Sequence, residues 1–181
     1  MQLEIKQALN TLKSGGIILY PTDTIWGIGC DATNPQAVER IYTLKRRTES
    51  KALISLVSNV SMINEFADNK ELEIPPSKNP TTIIYQSATG LAKNLIAQDN
   101  TVAFRIPNDK FCHLLITSFG LPITSTSANI SGNKIPKQFS EISKEIKENV
   151  DYIVNLRHNE IMKTPSTIIM INEDGSVKKI R

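Results

Sequence analysis

The sequence predicts an α/β domain built on a mixed β-sheet flanked by helices, and two observations carry that reading. Short apolar runs alternate with segments whose apolar positions recur at helical spacing. Near the end, Asp174-Gly175 joins two such runs as the turn of a hairpin, which makes the sheet mixed rather than purely parallel.

In chain order, Leu3, Ile5, Leu9 and Leu12 predict an amphipathic helix that Gly15-Gly16 ends. Glu4 and Lys6 interrupt it, so Met1 to Leu12 is not a signal peptide. Ile17 to Tyr20 is a short strand stopped by Pro21. Asn34-Pro35 opens a helix, with a side-chain cap before proline in the first turn. Val38, Ile41, Tyr42 and Lys45 share one face of it, which delivers Lys45 to the inner edge as the helix runs out at Arg46 and Arg47. Ala52 to Val57 is apolar on both faces and reads as a central strand. A helix through Met62, Ile63 and Phe66 follows, then a proline-rich loop over Glu73 to Pro80.

Thr81 to Tyr85, Thr101 to Ile106 and Leu121 to Thr126 are further strands, with a helix at Leu114, Leu115 and Phe119 ended by Gly120. Phe139 to Val150 reads as one charged amphipathic helix. Tyr152 to Val154, Thr167 to Ile171 and Val177 to Ile180 complete the strands. There is no internal repeat, and the 181 residues read as a single domain, 1–181.

Composition excludes several classes. At 40% hydrophobic and 22% charged the chain is globular and soluble, with no apolar run long enough to span a membrane. The net charge of +3, from 21 basic and 18 acidic residues, is too small to argue nucleic-acid binding by itself. Cys30 and Cys112 form no CxxC pair, so buried thiols in a reducing cytoplasm are expected rather than a disulfide or zinc site. No P-loop, dinucleotide turn, nucleophile elbow or zinc-protease helix is present, and the isolated His113 and His158 are assigned no role.

Four segments carry candidate chemistry. Tyr20-Pro21-Thr22-Asp23-Thr24 leaves a buried strand where open α/β sheets place ligands, although local Asx and Thr hydrogen bonds in a proline turn would explain it equally. Gly27 and Gly29, after Trp26, would let a second backbone approach. Lys45-Arg46-Arg47 with Lys51 is a compact cationic cluster, read either as phosphate-binding or as a solvated helix end that suits the dipole. From Ser125 the chain turns polar, Ser125-Thr126-Ser127-Ala128-Asn129, too polar for a strand interior, while Gly132 and Pro136 leave little room for a helix. A binding loop offering hydroxyls, amides and N–H groups is expected there. Arg105, in the apolar run Val102 to Ile106, either faces solvent or pairs with a buried anion.

Together these segments resemble the YrdC-like family, the threonylcarbamoyl-AMP synthases of transfer-RNA modification. The resemblance rests on YPTDTIWGIG (Tyr20 to Gly29) with Cys30-Asp31-Ala32, then LKRR with Lys45-x-Arg47, and the Lys51 to Val57 strand. TVAFRIP, STSANISG with Ser127 and Asn129, and Pro165-Ser166-Thr167 follow in the family's order across nearly the whole chain. It implies a twisted mixed sheet with a positively charged concave cleft. The implied reaction condenses L-threonine, bicarbonate and ATP to threonylcarbamoyl-AMP and pyrophosphate, with magnesium assisting. A transfer complex of partner proteins then acts on tRNA. Carried over by position, Lys45 and Arg47 would be catalytic and bind ATP, with Ser127 and Asn129. Thr101 and Arg181 would be further ATP contacts. Thr22, Arg105, Ser125 and Ser166 would hold threonine, and no residue is assigned to metal.

The chemistry suits such a set, because both steps bring anions together and need fixed cations rather than a side-chain nucleophile. Three features depart from the family pattern: Lys78-Asn79-Pro80 replaces Pro-Gly-Pro, Trp26 replaces Tyr, and the chain ends at Arg181, as expected of a short form. Two alternatives stand beside the synthase. One is a module of the same fold that binds double-stranded RNA or tRNA without synthesis; the other is a paralogue making a different adenylate or carbamoyl transfer.

Overall fold

The structure, a computed structural model, describes residues 1–47, 53–67, 79–171 and 176–180. Lys51, Lys78, Asp174-Gly175 and Arg181 lie outside the described residues. Among those described, nine strands form one mixed sheet: β1 (Ile18–Tyr20), β2 (Gly27–Gly29), β3 (Ile54–Leu56), β4 (Thr81–Tyr85), β5 (Val102–Arg105), β6 (Ile123–Ser127), β7 (Tyr152–Ile153), β8 (Thr167–Ile171) and β9 (Val177–Lys179). Their order is β7-β1-β2-β6-β3-β5-β4-β8-β9. The β1–β7, β3–β5 and β4–β8 pairs are parallel and the others antiparallel. The central place expected for the Ala52–Val57 run is found: β3 lies between β6 and β5.

The helices start and stop where local chemistry dictates. In α2 (Pro35–Lys45) the Asn34 side chain accepts the N–H groups of Gln36 and Ala37, each at 3.0 Å. Arg46 ends that helix in the left-handed region at φ 50°, and the Arg47 N–H returns to the Tyr42 carbonyl. Asp109 caps α4 (Lys110–Phe119), which stops at Gly120 with φ 79°. The first helix, α1 (Gln2–Lys13), buries Ala8 and Leu12 and packs on α4, and α3 (Val60–Phe66) buries Met62, Ile63 and Phe66.

Three expectations need correction. Phe139 to Val150 is not one helix. A 3-10 turn at Phe139–Glu141 gives way to extended backbone at Ile142, and a separate short helix, α5 (Lys144–Glu148), starts on the Ser143 cap. The apolar spacing survives because Ile142 and Ile146 are both buried, but Ser143 competes for the backbone between them. Second, Gly27–Gly29, given no strand from the sequence, is itself a strand, and the close backbone approach expected at its glycines is found. Two glycines suppress strand propensity, yet a Cβ at Gly29 would collide with the Thr124 carbonyl and lie 2.8 Å from Tyr20 Cε1, so no other residue fits. Third, Ser125 to Ser127 are in β6. Strand formation there needs ladder partners, supplied by β2 and β3, and an apolar face is not required where the sheet stays open.

Register decides what shares that open face. Ile54 opposes Ser125 and Ala103; Ser127 opposes Gly27; Ala103 opposes Ile84, which opposes Met170. With a period of two, Gly27, Ser125, Ser127, Ile54, Arg105, Thr82 and Ile168 all point to one side. Leu19, Ile28, Phe104 and Ile83 point to the other and are buried in the core with Leu12, Phe111 and Leu115.

Candidate functional site

The turn after β1 is tied by its own hydroxyls. Thr22 is 1% exposed, and its Oγ1 accepts the N–H groups of Thr24 and Ile25 and donates to the Ile25 carbonyl at 2.8 Å. Its capacity is spent on the turn, so the residues this segment presents to the open face are Thr24 and Ile25. Asp23 crosses the sheet. Its Oδ1 pairs with Arg105 Nη1, and its Oδ2 accepts the Asn108 N–H at 3.1 Å. Both side chains are buried, at 7% and 3% exposure, which resolves the choice posed for Arg105: it pairs with a buried anion.

The end of α2 separates three consecutive cations. Lys45 is 1% exposed and donates its ammonium to the main-chain carbonyls of Ser127 and Asn129, the second at 2.6 Å. Its own carbonyl accepts the Ser131 N–H at 2.9 Å, so it clamps the chain leaving β6 from two sides. Burial, and then the neighbouring Arg47, lower its pKa to about 7. Arg46 turns outward to Glu145 at 2.9 Å. Arg47 faces the open side of the sheet, where burial lowers its pKa and the Tyr42 phenol opposes that shift.

A cleft open to solvent lies over this face. Arg47 and Arg105 line it with the hydroxyl-bearing Thr24, Ser125, Ser127 and Ser166, over an apolar floor that includes Leu53, Ile54 and Ile168. Gly27 belongs to the wall, and a Cβ there would stand 3.1 Å from Ser125 Oγ. Of the expected site residues, Arg47, Arg105, Ser125, Ser127 and Ser166 are therefore brought together. Lys45 and Thr22 sit behind the wall. Asn129 borders a neighbouring hollow and gives its amide N–H groups to the carbonyls of Ile130 and Asn133. Thr101 lies at the opposite end of β5 from Arg105, bonded to Asp99. Arg181 lies outside the described residues.

Magnesium favours carboxylate and phosphate oxygens and keeps several waters. The described wall offers hydroxyls and guanidinium groups, and Asp23 is committed to Arg105. A magnesium ion held by the protein does not fit these residues; one arriving on the phosphates of ATP belongs to the substrate.

Sequence reading missed two partners. Thr82, fully buried, meets Ser166 Oγ at 2.8 Å, and strand alternation alone could have placed it on the cleft side. Asp23 carried the right chemistry but no signal naming Arg105, 82 residues away. Trp26 is buried behind the cleft, with its ring centroid 5.1 Å from Phe139 and 5.5 Å from His158.

The chain matches the model of the Sua5/YciO/YrdC family, described as telomere recombination, over residues 10–181. It belongs to this family. A threonylcarbamoyl-AMP synthase of Pseudoalteromonas translucida is 34% identical over 85% of this chain and 86% of its own. Among solved structures, P. abyssi Sua5 complexed with L-threonine superposes with a TM-score of 0.85 at 24% identity, covering all of this chain and 54% of that one. E. coli YciO gives a TM-score of 0.85 at 23% identity, covering 100% of this chain and 89% of its own. The two structures confirm the mixed sheet with its flanking helices. The chain spans about half the length of the Sua5 structure and most of the length of YciO. Among the described residues no helix is long and apolar enough to cross a membrane.

Proposed function

We propose that this protein is a threonylcarbamoyl-AMP synthase, forming threonylcarbamoyl-AMP and pyrophosphate from L-threonine, bicarbonate and ATP. The observation that carries the reading is the cleft wall, where Arg47 and Arg105, from separate elements, converge among hydroxyl-bearing residues that include Thr24, Ser125, Ser127 and Ser166. The family membership and the names of its relatives support it.

In the first step the threonine amine adds to bicarbonate carbon and water leaves, giving N-carboxy-threonine. Its new carboxylate then attacks the α-phosphorus of ATP, and pyrophosphate departs. Each step brings anions together, and the chain contributes fixed cations and orientation. In this reading Arg105 receives the threonine carboxylate, and Ser125 and Ser166 receive its polar groups. Arg47 meets the phosphates beside Ser127. Lys45 acts from behind: by holding the Ser127 and Asn129 carbonyls it fixes the chain on which the phosphates rest, in place of the direct contact expected from the sequence. The hydroxyl of Thr22 fixes the turn in the same way. In this reading the product passes to a transfer complex of partner proteins, which acts on tRNA in the cytoplasm.

The purified protein, given ATP, bicarbonate and magnesium, should release pyrophosphate only when L-threonine is added. Threonine-independent release would sink the reading and favour a paralogue making a different adenylate, whereas tight RNA binding with no release at all would favour the RNA-binding module.

A further inference from the structure

We infer that Asp23 is a positioning residue for threonine, acting through Arg105; this rests on the synthase reading. Arg105 comes from the last position of β5 and its side chain is 3% exposed. A guanidinium so deeply placed needs a counter-charge, because an unpaired buried ion costs several kcal/mol. Asp23 supplies it from the turn after β1, through one oxygen on Nη1. The other oxygen is held by the Asn108 N–H, so the carboxylate cannot rotate away without breaking a second bond. Asp23 thus joins three pieces of chain: the turn after β1, the end of β5, and the loop that leads into α4.

Two consequences follow for the cleft. The planar guanidinium is fixed at Nη1 by Asp23, which limits the directions in which its other N–H groups face. Arg105 Nε is buried without an acceptor among the described residues, so the group retains donor capacity that the protein leaves unmet. The pair is also neutral overall. This end of the cleft therefore presents an oriented donor rather than a surplus positive charge, which suits the single carboxylate of a zwitterionic amino acid better than a polyphosphate. Asp23 does not itself line the cleft, so its effect on substrate must pass through Arg105.

The test is calorimetric titration of L-threonine into the full chain without ATP, beside steady-state kinetics. Wild type should bind threonine, and Asp23→Asn should weaken that affinity and raise the threonine KM at least 10-fold while the ATP KM moves less than twofold. In an Arg105→Gln background, Asp23→Asn should change threonine affinity by less than a further twofold. Asp23→Glu, which keeps the charge but lengthens the arm, should bind threonine severalfold more weakly than wild type. Equal threonine affinity in wild type and Asp23→Asn, or additive losses in the double variant, would overturn the inference and leave the synthase reading standing. Should Asp23→Asn fail to fold, Asp23→Glu decides, and a change below twofold rejects the inference. Absence of threonine binding by the wild type removes both.

Discussion

Two buried cations hold the two ends of the cleft wall, and they are held differently. At the exit of β5, Arg105 faces a carboxylate, Asp23, and the pair is neutral. At the exit of α2, the Lys45 ammonium faces main-chain carbonyls, with Arg47 close enough to disfavour its charge. The first arrangement spends little of the cation and leaves a directed donor for a ligand. The second commits two of the three ammonium donors to the backbone and leaves Arg47, not Lys45, facing the cleft. A cationic cluster in sequence therefore divides by depth: the most buried member becomes a clamp, and a less buried neighbour faces the cleft.

The largest effect that could break this comparison is expected at Arg105. Arg105→Gln removes a charge-assisted contact to the proposed threonine carboxylate, and catalytic efficiency should fall on the order of 100-fold. It also strands Asp23 in the interior, at a cost of about 3–5 kcal/mol. Denaturant melts and pyrophosphate release measured together would separate the two. A variant that retains full stability would mean that the buried pair contributes nothing, and the contrast with Lys45 would collapse.

A smaller effect, with a distinct pH signature, is expected at Lys45. Its folded pKa of about 7 lies below the usual lysine value of 10.5. Between those values the unfolded chain binds a proton that the folded chain does not, so this group makes stability rise with pH. Below pH 7 both states are protonated and the contribution is flat. Lys45→Met removes the carbonyl clamp and should lower stability by about 1.5–3 kcal/mol. The difference between wild type and variant should widen in favour of wild type from pH 7 to 9, a range beneath the upward-shifted titrations of Cys30 and the buried tyrosines. A pH-independent difference would show that the ammonium stays charged throughout, and that Lys45 is closer to Arg105 in kind than proposed.

What was legible in the sequence follows the same division between local and distant causes. The α2 cap at Asn34, the stop at Gly120 and the strands at Thr81–Tyr85 and Thr167–Ile171 are set by neighbours along the chain, and all were readable. The break at Ser143 was not, because apolar spacing passes straight through it. Nor was β2, whose glycines are demanded by Tyr20 and Thr124 on flanking strands. At the site, motif content identified Arg47, Arg105, Ser125, Ser127 and Ser166, which the cleft does collect. It did not show that Lys45 and Thr22 turn away, since that depends on which backbone groups lie behind them after folding. Asp23 and Thr82 act through partners 82 and 84 residues distant, a relation that no periodicity encodes.

The smallest effect is expected at Arg46, and it tests whether depth, rather than charge, sorts the cluster. Arg46 sits between Lys45 and Arg47, yet its side chain is 69% exposed and its only charged partner among the described residues is Glu145, itself 46% exposed. Such surface pairs contribute about 0–1 kcal/mol. Against that stands its left-handed backbone at φ 50°, which glycine adopts without the penalty a side chain carries there, roughly 1 kcal/mol. Arg46→Gly therefore loses a weak attraction and gains a relaxed helix end, so the melting midpoint should hold steady or rise slightly, with pyrophosphate release unchanged within twofold. If activity instead fell as far as in an Arg47 variant, positive charge anywhere on this helix end would suffice. The distinct placements of Lys45, Arg46 and Arg47 would then have no functional meaning.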